Sequence, residues 1–181
     1  ESIMNSIHDF TNANREELTE HRFHFIGGPG GTGKSALFKK LHAACRSLGL
    51  LISICAATTL AALLFDGAVT AHSLFDYPVE DEEDVDDLNP TQCDIKKEQA
   101  EFLHEVSVIF WDEFVSNDRN LMEAVLDLFE TLWDEPRYFV FVCAGDFAQV
   151  SSHSLLCVMT IYMKNILCNV KFIFGDRFFR L

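Results

Sequence analysis

Apolar residues along this chain fall into two rhythms. Short, nearly unbroken runs occur at 22–26 (RFHFI), 50–56 (LLISICA), 106–113 (VSVIFWDE), 137–146 (RYFVFVCAGD) and 169–176 (NVKFIFGD). Such runs read as strands covered on both faces, the pattern of a parallel sheet. Between them lie segments of helical period: KSALFKKLHAACRSL, TTLAALLF, IKKEQAEFLHEV and NDRNLMEAVLDLFETLW. The last has apolar residues at 121, 122, 125, 126, 128, 129, 132 and 133, a broad buried face. Residues 1–20 read as a helical lead-in. Strands alternating with helices predict one three-layer α/β domain over residues 21–181, with a mainly parallel sheet.

Two stretches depart from this rhythm. From Leu48 to Phe65 there are 18 residues without a charge, a marginal length for a membrane span. The better reading is a buried strand followed by a short Ala/Leu helix, with the polar pair Thr58-Thr59 at the joint. The second stretch is acidic. Seven of the eight residues from Glu80 to Asp87 are Asp or Glu, and they repel one another into a solvated loop, placed at 78–94. The D-x-[DN]-x-[DN]-G calcium pattern is absent there.

The joint between the first strand and the first helix carries the strongest chemical signal. Gly28-Pro29-Gly30-Gly31-Thr32-Gly33-Lys34-Ser35 fits G-x-x-x-x-G-K-[ST] at every fixed position. Backbone N–H groups without side-chain cover form an anion nest, and the following helix points its positive end at the same place. Lys34 can reach the β and γ phosphates, and the Ser35 hydroxyl can ligate Mg²⁺. The loop therefore predicts a P-loop NTPase that binds ATP and Mg²⁺.

Two further strand ends complete the picture. Asp112, just past the end of the apolar strand in VIFWDEF, is placed to hold Mg²⁺, directly or through water, and Glu113 to act as general base on the attacking water. In FVCAGDFAQV, Gly145 and Asp146 break the strand, and Gln149 could hydrogen-bond the γ-phosphate or that water.

GGPGGTGKS, ATTLAALLFDGAVTAHSLF, CDIKKEQAEFLHEVSVIFWDEF and GDFAQ occur in this order and at familiar spacing. Together they resemble the first, RecA-like motor domain of the Pif-type (petite integration frequency) DNA helicases. The WDEF form and the TAHSLF segment are most similar to the helicases of Helitron transposons. The resemblance covers about Arg22 to Gln149. It implies that Lys34 and Ser35 bind phosphates and Mg²⁺, that Asp112 supports the ion and Glu113 activates water, and that Gln149 senses the γ-phosphate. It implies a single-stranded DNA path along Thr58, Thr59, Thr70, His72, Ser73 and Phe75. Hydroxyls there suit phosphates, and His72 and Phe75 suit base stacking. Turn capping and core filling explain the same residues equally well. The resemblance also implies 5′–3′ movement, a nuclear or mitochondrial place, and work in DNA repair, recombination or telomere maintenance. Two features depart from it: Ala148 stands where a basic residue is usual, and VSSHS where a proline-containing turn is usual. The second motor domain, with its arginine finger, is missing.

Charge and cysteines narrow the rest. Of the formal charge of −14, the segment Asp76–Glu101 holds −9, from 11 acidic and 2 basic residues, so the acid is local. The overall balance argues against a broad electrostatic grip on nucleic acid. The cysteines at 45, 55, 93, 143, 157 and 168 form no C-x-x-C, so zinc is not expected. Cys55 and Cys143 read as small core residues, and reduced thiols fit an intracellular chain. Beginning at Glu1, the chain reads as a fragment or a trimmed product. Two rivals share the fold: a small-molecule kinase, and a truncated transposon relic that binds nucleotide without turnover. Deleting Glu80 to Asp87 is expected to leave the melting temperature and ATP affinity unchanged. At low salt it should tighten oligonucleotide binding, read by fluorescence anisotropy.

Overall fold

Seven strands form one sheet in the computed structural model, in the order β3-β2-β4-β5-β1-β6-β7. Residues 3–5, 7, 22–78, 93–132, 140–146, 171–174 and 177–179 are described. The strands are β1 (Arg22–Gly27), β2 (Ile52–Ala56), β3 (Val69–Thr70), β4 (Val108–Asp112), β5 (Val140–Gly145), β6 (Lys171–Phe174) and β7 (Arg177–Phe179). Every neighbouring pair is parallel except β6 with β7. The helices are α1 (Lys34–Ser47), α2 (Thr59–Ala62), α3 (Ala71–Leu74), α4 (Lys97–Glu105) and α5 (Arg119–Thr131), with a 3₁₀ turn at Phe114–Ser116. The fold is the α/β P-loop arrangement that the two rhythms predict, and the five expected strands are present, β1 one residue longer and the other four with trimmed ends.

The alternation of side chains across each strand builds two cores. Phe25, Cys55, Ile109, Trp111, Phe141 and Cys143 face one layer, made by α3, α4, α5 and the 3₁₀ turn. Ile26, Ile54, Val108, Phe110, Val140 and Val142 face the other, with Phe38, Leu41 and Cys45 of α1. Ile3 and Ile7 join this second core, and residues 3–5 and 7 are helical. The rest of the expected N-terminal helical segment lies outside the described residues. In the first core the Trp111 ring stands 4.9 Å from Phe114 and 5.3 Å from Phe75. In the second, Phe38 meets Phe110 edge-on at 5.4 Å.

Caps set the helix limits. Asp118 accepts from Asn120 N at 2.6 Å and starts α5, while Arg119 and Glu123 pair one turn apart at 2.8 Å. Thr58 starts α2 and Thr70 starts α3, each accepting a backbone N–H three residues on. Gly49, at φ 74, ends the turn after α1. The uncharged run 48–65 divides between β2 and α2, and no helix among the described residues is long and apolar enough to cross a membrane.

The acidic segment has well-defined feet. Asp76 O accepts from Asp94 N at 3.1 Å, and Asp76 Oδ2 from Lys96 N at 3.3 Å. Gln99 Nε2 donates to Leu74 O at 2.8 Å.

At the end of β5, Gly145 leaves no room for a side chain: a Cβ there would lie 2.5 Å from Val115 Cγ2. Gly145→Ala is therefore expected to cost about 1–3 kcal/mol by overpacking. Chemical denaturation measures this, and adding Val115→Ala should restore part of the loss.

Candidate active site

β1 delivers the chain to the phosphate loop, and β5 holds the loop from beside it. Gly28 N donates to Gly145 O at 3.2 Å. Gly31 and Gly33 take φ values of 78° and 90°, the left-handed region that favours glycine. Thr32 closes the loop, its hydroxyl donating to Pro29 O at 2.8 Å. A side chain at Gly28 would meet that hydroxyl oxygen at 2.9 Å. No side chain caps α1, so its first N–H groups are left for an anion. Lys34 folds back across the loop, Nζ donating to Gly28 O at 2.6 Å and Pro29 O at 3.0 Å. A phosphate offers this ammonium a charge-assisted partner that two carbonyls do not.

β4 brings the carboxylates. Asp112 is the last residue of the strand rather than the first beyond it, and it is 4% exposed. Its carboxylate accepts from Glu113 N at 3.0 Å, with the Ser35 hydroxyl and the Lys34 ammonium close enough to act on it electrostatically. Burial pushes the Asp112 carboxyl above its ordinary range. The Glu113 N–H counters this, the Glu113 charge adds to it, and Lys34 and Ser35 pull the other way. Thus Lys34, Ser35 and Asp112, expected together from sequence, do come together. The Ser35 hydroxyl and the Asp112 carboxylate are hard oxygen donors, side by side at the start of α1, and that donor set fits Mg²⁺. A carboxylate so buried gains most from a divalent cation beside it.

Glu113 follows with φ 52° and ψ 32°, left-handed although it is not glycine. Such a residue costs roughly 1–2 kcal/mol. Three contacts hold the turn: Ser116 N donates to Glu113 O at 2.9 Å, Asn117 Nδ2 to Glu113 O at 3.4 Å, and the same amide to Phe114 O at 2.9 Å. The Glu113 side chain is exposed, and its Oε2 accepts from Thr58 Oγ1 at 3.4 Å.

The remaining candidates separate. Thr59 and Ser73 are exposed, Thr70 is half-buried and donates to the Ser73 hydroxyl at 2.9 Å, and His72 is half-buried with its ring 5.7 Å from Tyr77. Phe75 corrects the expectation of base stacking. It is fully buried, 5.3 Å from Trp111 and 5.9 Å from Phe129, so no face of its ring is open to a base. Gln149 and Ala148 lie outside the described residues. Sequence reasoning missed Asn117, a buried side chain bracing the Glu113 turn, because Asn before Asp-Arg reads only as a helix start.

The sequence matches the family described as PIF1-like helicase over residues 1–154. The chain is 29% identical over 137 residues to the ATP-dependent DNA helicase PIF3 of Trypanosoma brucei brucei (strain 927/4 GUTat10.1), covering 70% of this chain and 15% of that protein. The fold is similar to that of Pif1 helicase from Bacteroides in complex with ADP-AlF3 and ssDNA, with TM-score 0.61 and 18% identity, over 99% of this chain and 42% of that one. Pif1 helicase from Candida albicans gives TM-score 0.56 and 21% identity, over 81% and 32%. The chain thus spans less than half of each of these proteins.

The raised Asp112 pKa has a stability consequence. The folded chain keeps a proton that the unfolded chain has lost, so stability falls as pH rises from the ordinary carboxylate range through the raised value. Asp112→Asn is therefore expected to raise the melting temperature of the nucleotide-free protein at pH 7 and flatten its pH dependence above pH ~4. In calorimetry the same variant should bind MgATP more weakly.

Proposed function

Because the chain belongs to the PIF1-like helicase family, we propose that it is the first motor domain of an ATP-dependent DNA helicase, coupling hydrolysis to movement on single-stranded DNA. The carrying observation is the convergence of the phosphate loop after β1, with Lys34 folded across it, and the buried Asp112 carboxylate at the end of β4. It joins the phosphate-binding and acidic strand ends into one site. The PIF3 relative is named as an ATP-dependent DNA helicase, and one Pif1 helicase structure is named as a complex with ADP-AlF3 and ssDNA.

In this reading the loop N–H groups and Lys34 grip the phosphates and fix the γ-phosphoryl group. Ser35 and Asp112 would hold Mg²⁺, which when bound neutralises charge building on the phosphate oxygens. Glu113 takes the proton of the attacking water, and Gln149 senses the γ-phosphate. Arg46 ends α1 far along the helix from the loop, and Arg119 is bonded to Glu123, so neither supplies the transition-state cation. The strand runs over Thr58, Thr59, Thr70, His72 and Ser73, in the 5′–3′ sense, in a nuclear or mitochondrial protein of Helitron-like type. DNA repair, recombination or telomere maintenance is the process such a motor would serve.

Glu113→Gln tests the chemistry. It is expected to keep nucleotide affinity and to lower hydrolysis ~10²–10⁴-fold, the usual loss on removing a general base. Phosphate release at the parent rate would make Glu113 structural and move the base elsewhere.

A further inference from the structure

The contact between Thr58 and Glu113 joins two surfaces that the proposed function keeps apart. Thr58 caps α2 just after β2, and Glu113 follows β4, the neighbour of β2 in the sheet. The phosphate loop follows β1, on the other side of β4 with β5 between. A Glu113 carboxylate bonded to Thr58 therefore leans away from the phosphates. The Glu113 backbone cannot follow, because its N–H is held by Asp112 and its carbonyl by Ser116 and Asn117. Only the side chain is free to swing.

Thr58 is equipped for such a hold. Its oxygen accepts from Ala61 N at 3.2 Å as the cap of α2, which fixes the hydroxyl in place. A hydroxyl has one proton to donate, and here it goes to Glu113 Oε2. At 3.4 Å and in an exposed position, this bond is readily exchanged for a better acceptor. Thr59, Thr70 and Ser73 place three more hydroxyls near the same edge, a set suited to a phosphodiester.

We propose that Thr58 is a positioning residue that parks Glu113 away from the phosphate loop, and that a DNA phosphodiester taking the Thr58 hydroxyl releases Glu113 to activate water. Strand binding then switches hydrolysis on through one proton donor. The inference rests on reading Glu113 as the general base and this edge as the strand-binding surface.

The test compares the parent with Thr58→Val, Thr58→Ser and Thr58→Asp, each checked for folding by its melting curve. Single-turnover phosphate release is measured with and without an oligodeoxythymidylate. Thr58→Val is expected to raise the DNA-free rate several-fold and bring stimulation by the oligonucleotide close to one. Thr58→Ser should keep the parent ratio. Thr58→Asp preserves the cap acceptor but replaces the donor with a like charge, so it should raise the DNA-free rate even if Thr58→Val fails to fold. Carboxyl-carbon NMR gives a readout independent of turnover, the Glu113 signal being assigned by its loss in Glu113→Gln. That signal should move in Thr58→Asp and Thr58→Val, and adding oligonucleotide to the parent should move it the same way. A Glu113 signal indifferent to both Thr58 and DNA overturns the proposal, as does a DNA-free rate unchanged in Thr58→Asp. Should Glu113→Gln hydrolyse at the parent rate, the general-base reading falls, and the NMR result alone decides whether the hold exists.

Discussion

A residue without a side chain stands between the two halves of the site. The phosphate loop leaves β1 and the carboxylates leave β4, and β5 separates those strands. Gly145, the last residue of β5, accepts from Gly28 N on one side and is overlain by Val115 on the other. The loop and the Glu113 turn can close over β5 because nothing projects from this point. Parallel pairing makes the arrangement general: all three strands end on one edge of the sheet, so ligand-binding groups converge there. The proximity of Ser35 to Asp112 is the result of that convergence.

The cost of the site is visible in its chemistry. A carboxylate is buried at the end of an apolar strand, and its neighbour is forced into a left-handed conformation. Both features oppose stability, and both are held by a large aromatic layer beneath. Trp111, Phe114, Phe75, Phe129 and Phe141 pack ring against ring directly under the strand end. Such pairs add to simple burial and resist local rearrangement. Strain at a catalytic turn persists only where the surroundings over-determine it, and this aromatic layer does so.

How much of this was legible in the chain depends on whether the signal was local. Parallel strands buried on both faces are continuous apolar runs, and so β1, β2, β4 and β5 were readable, as was the apolar run of β6. β3 has two residues and α3 four, too short for any periodicity to show in GAVTAHSLF. β7 has three residues and pairs antiparallel against the trend. In the site, the loop was readable because its residue types are set by backbone geometry. Phe75 was misjudged because it sits in a short segment with His72, Ser73 and Asp76, whereas its burial comes from Trp111 and Phe129, 36 and 54 residues away. The Thr58–Glu113 contact spans 55 residues and leaves no local mark.

The pinned feet of the acidic segment have a consequence for what the fold tolerates. Asp76 is bonded to both Asp94 and Lys96, so the chain leaves and re-enters the domain at one spot. Once the ends of an excursion are tied together, lengthening it is cheap, roughly 0.6 kcal/mol for each doubling. The spot therefore works as a port. Sequence can be exchanged there, from a fluorescent reporter to a whole guest domain, while the motor beneath keeps its register.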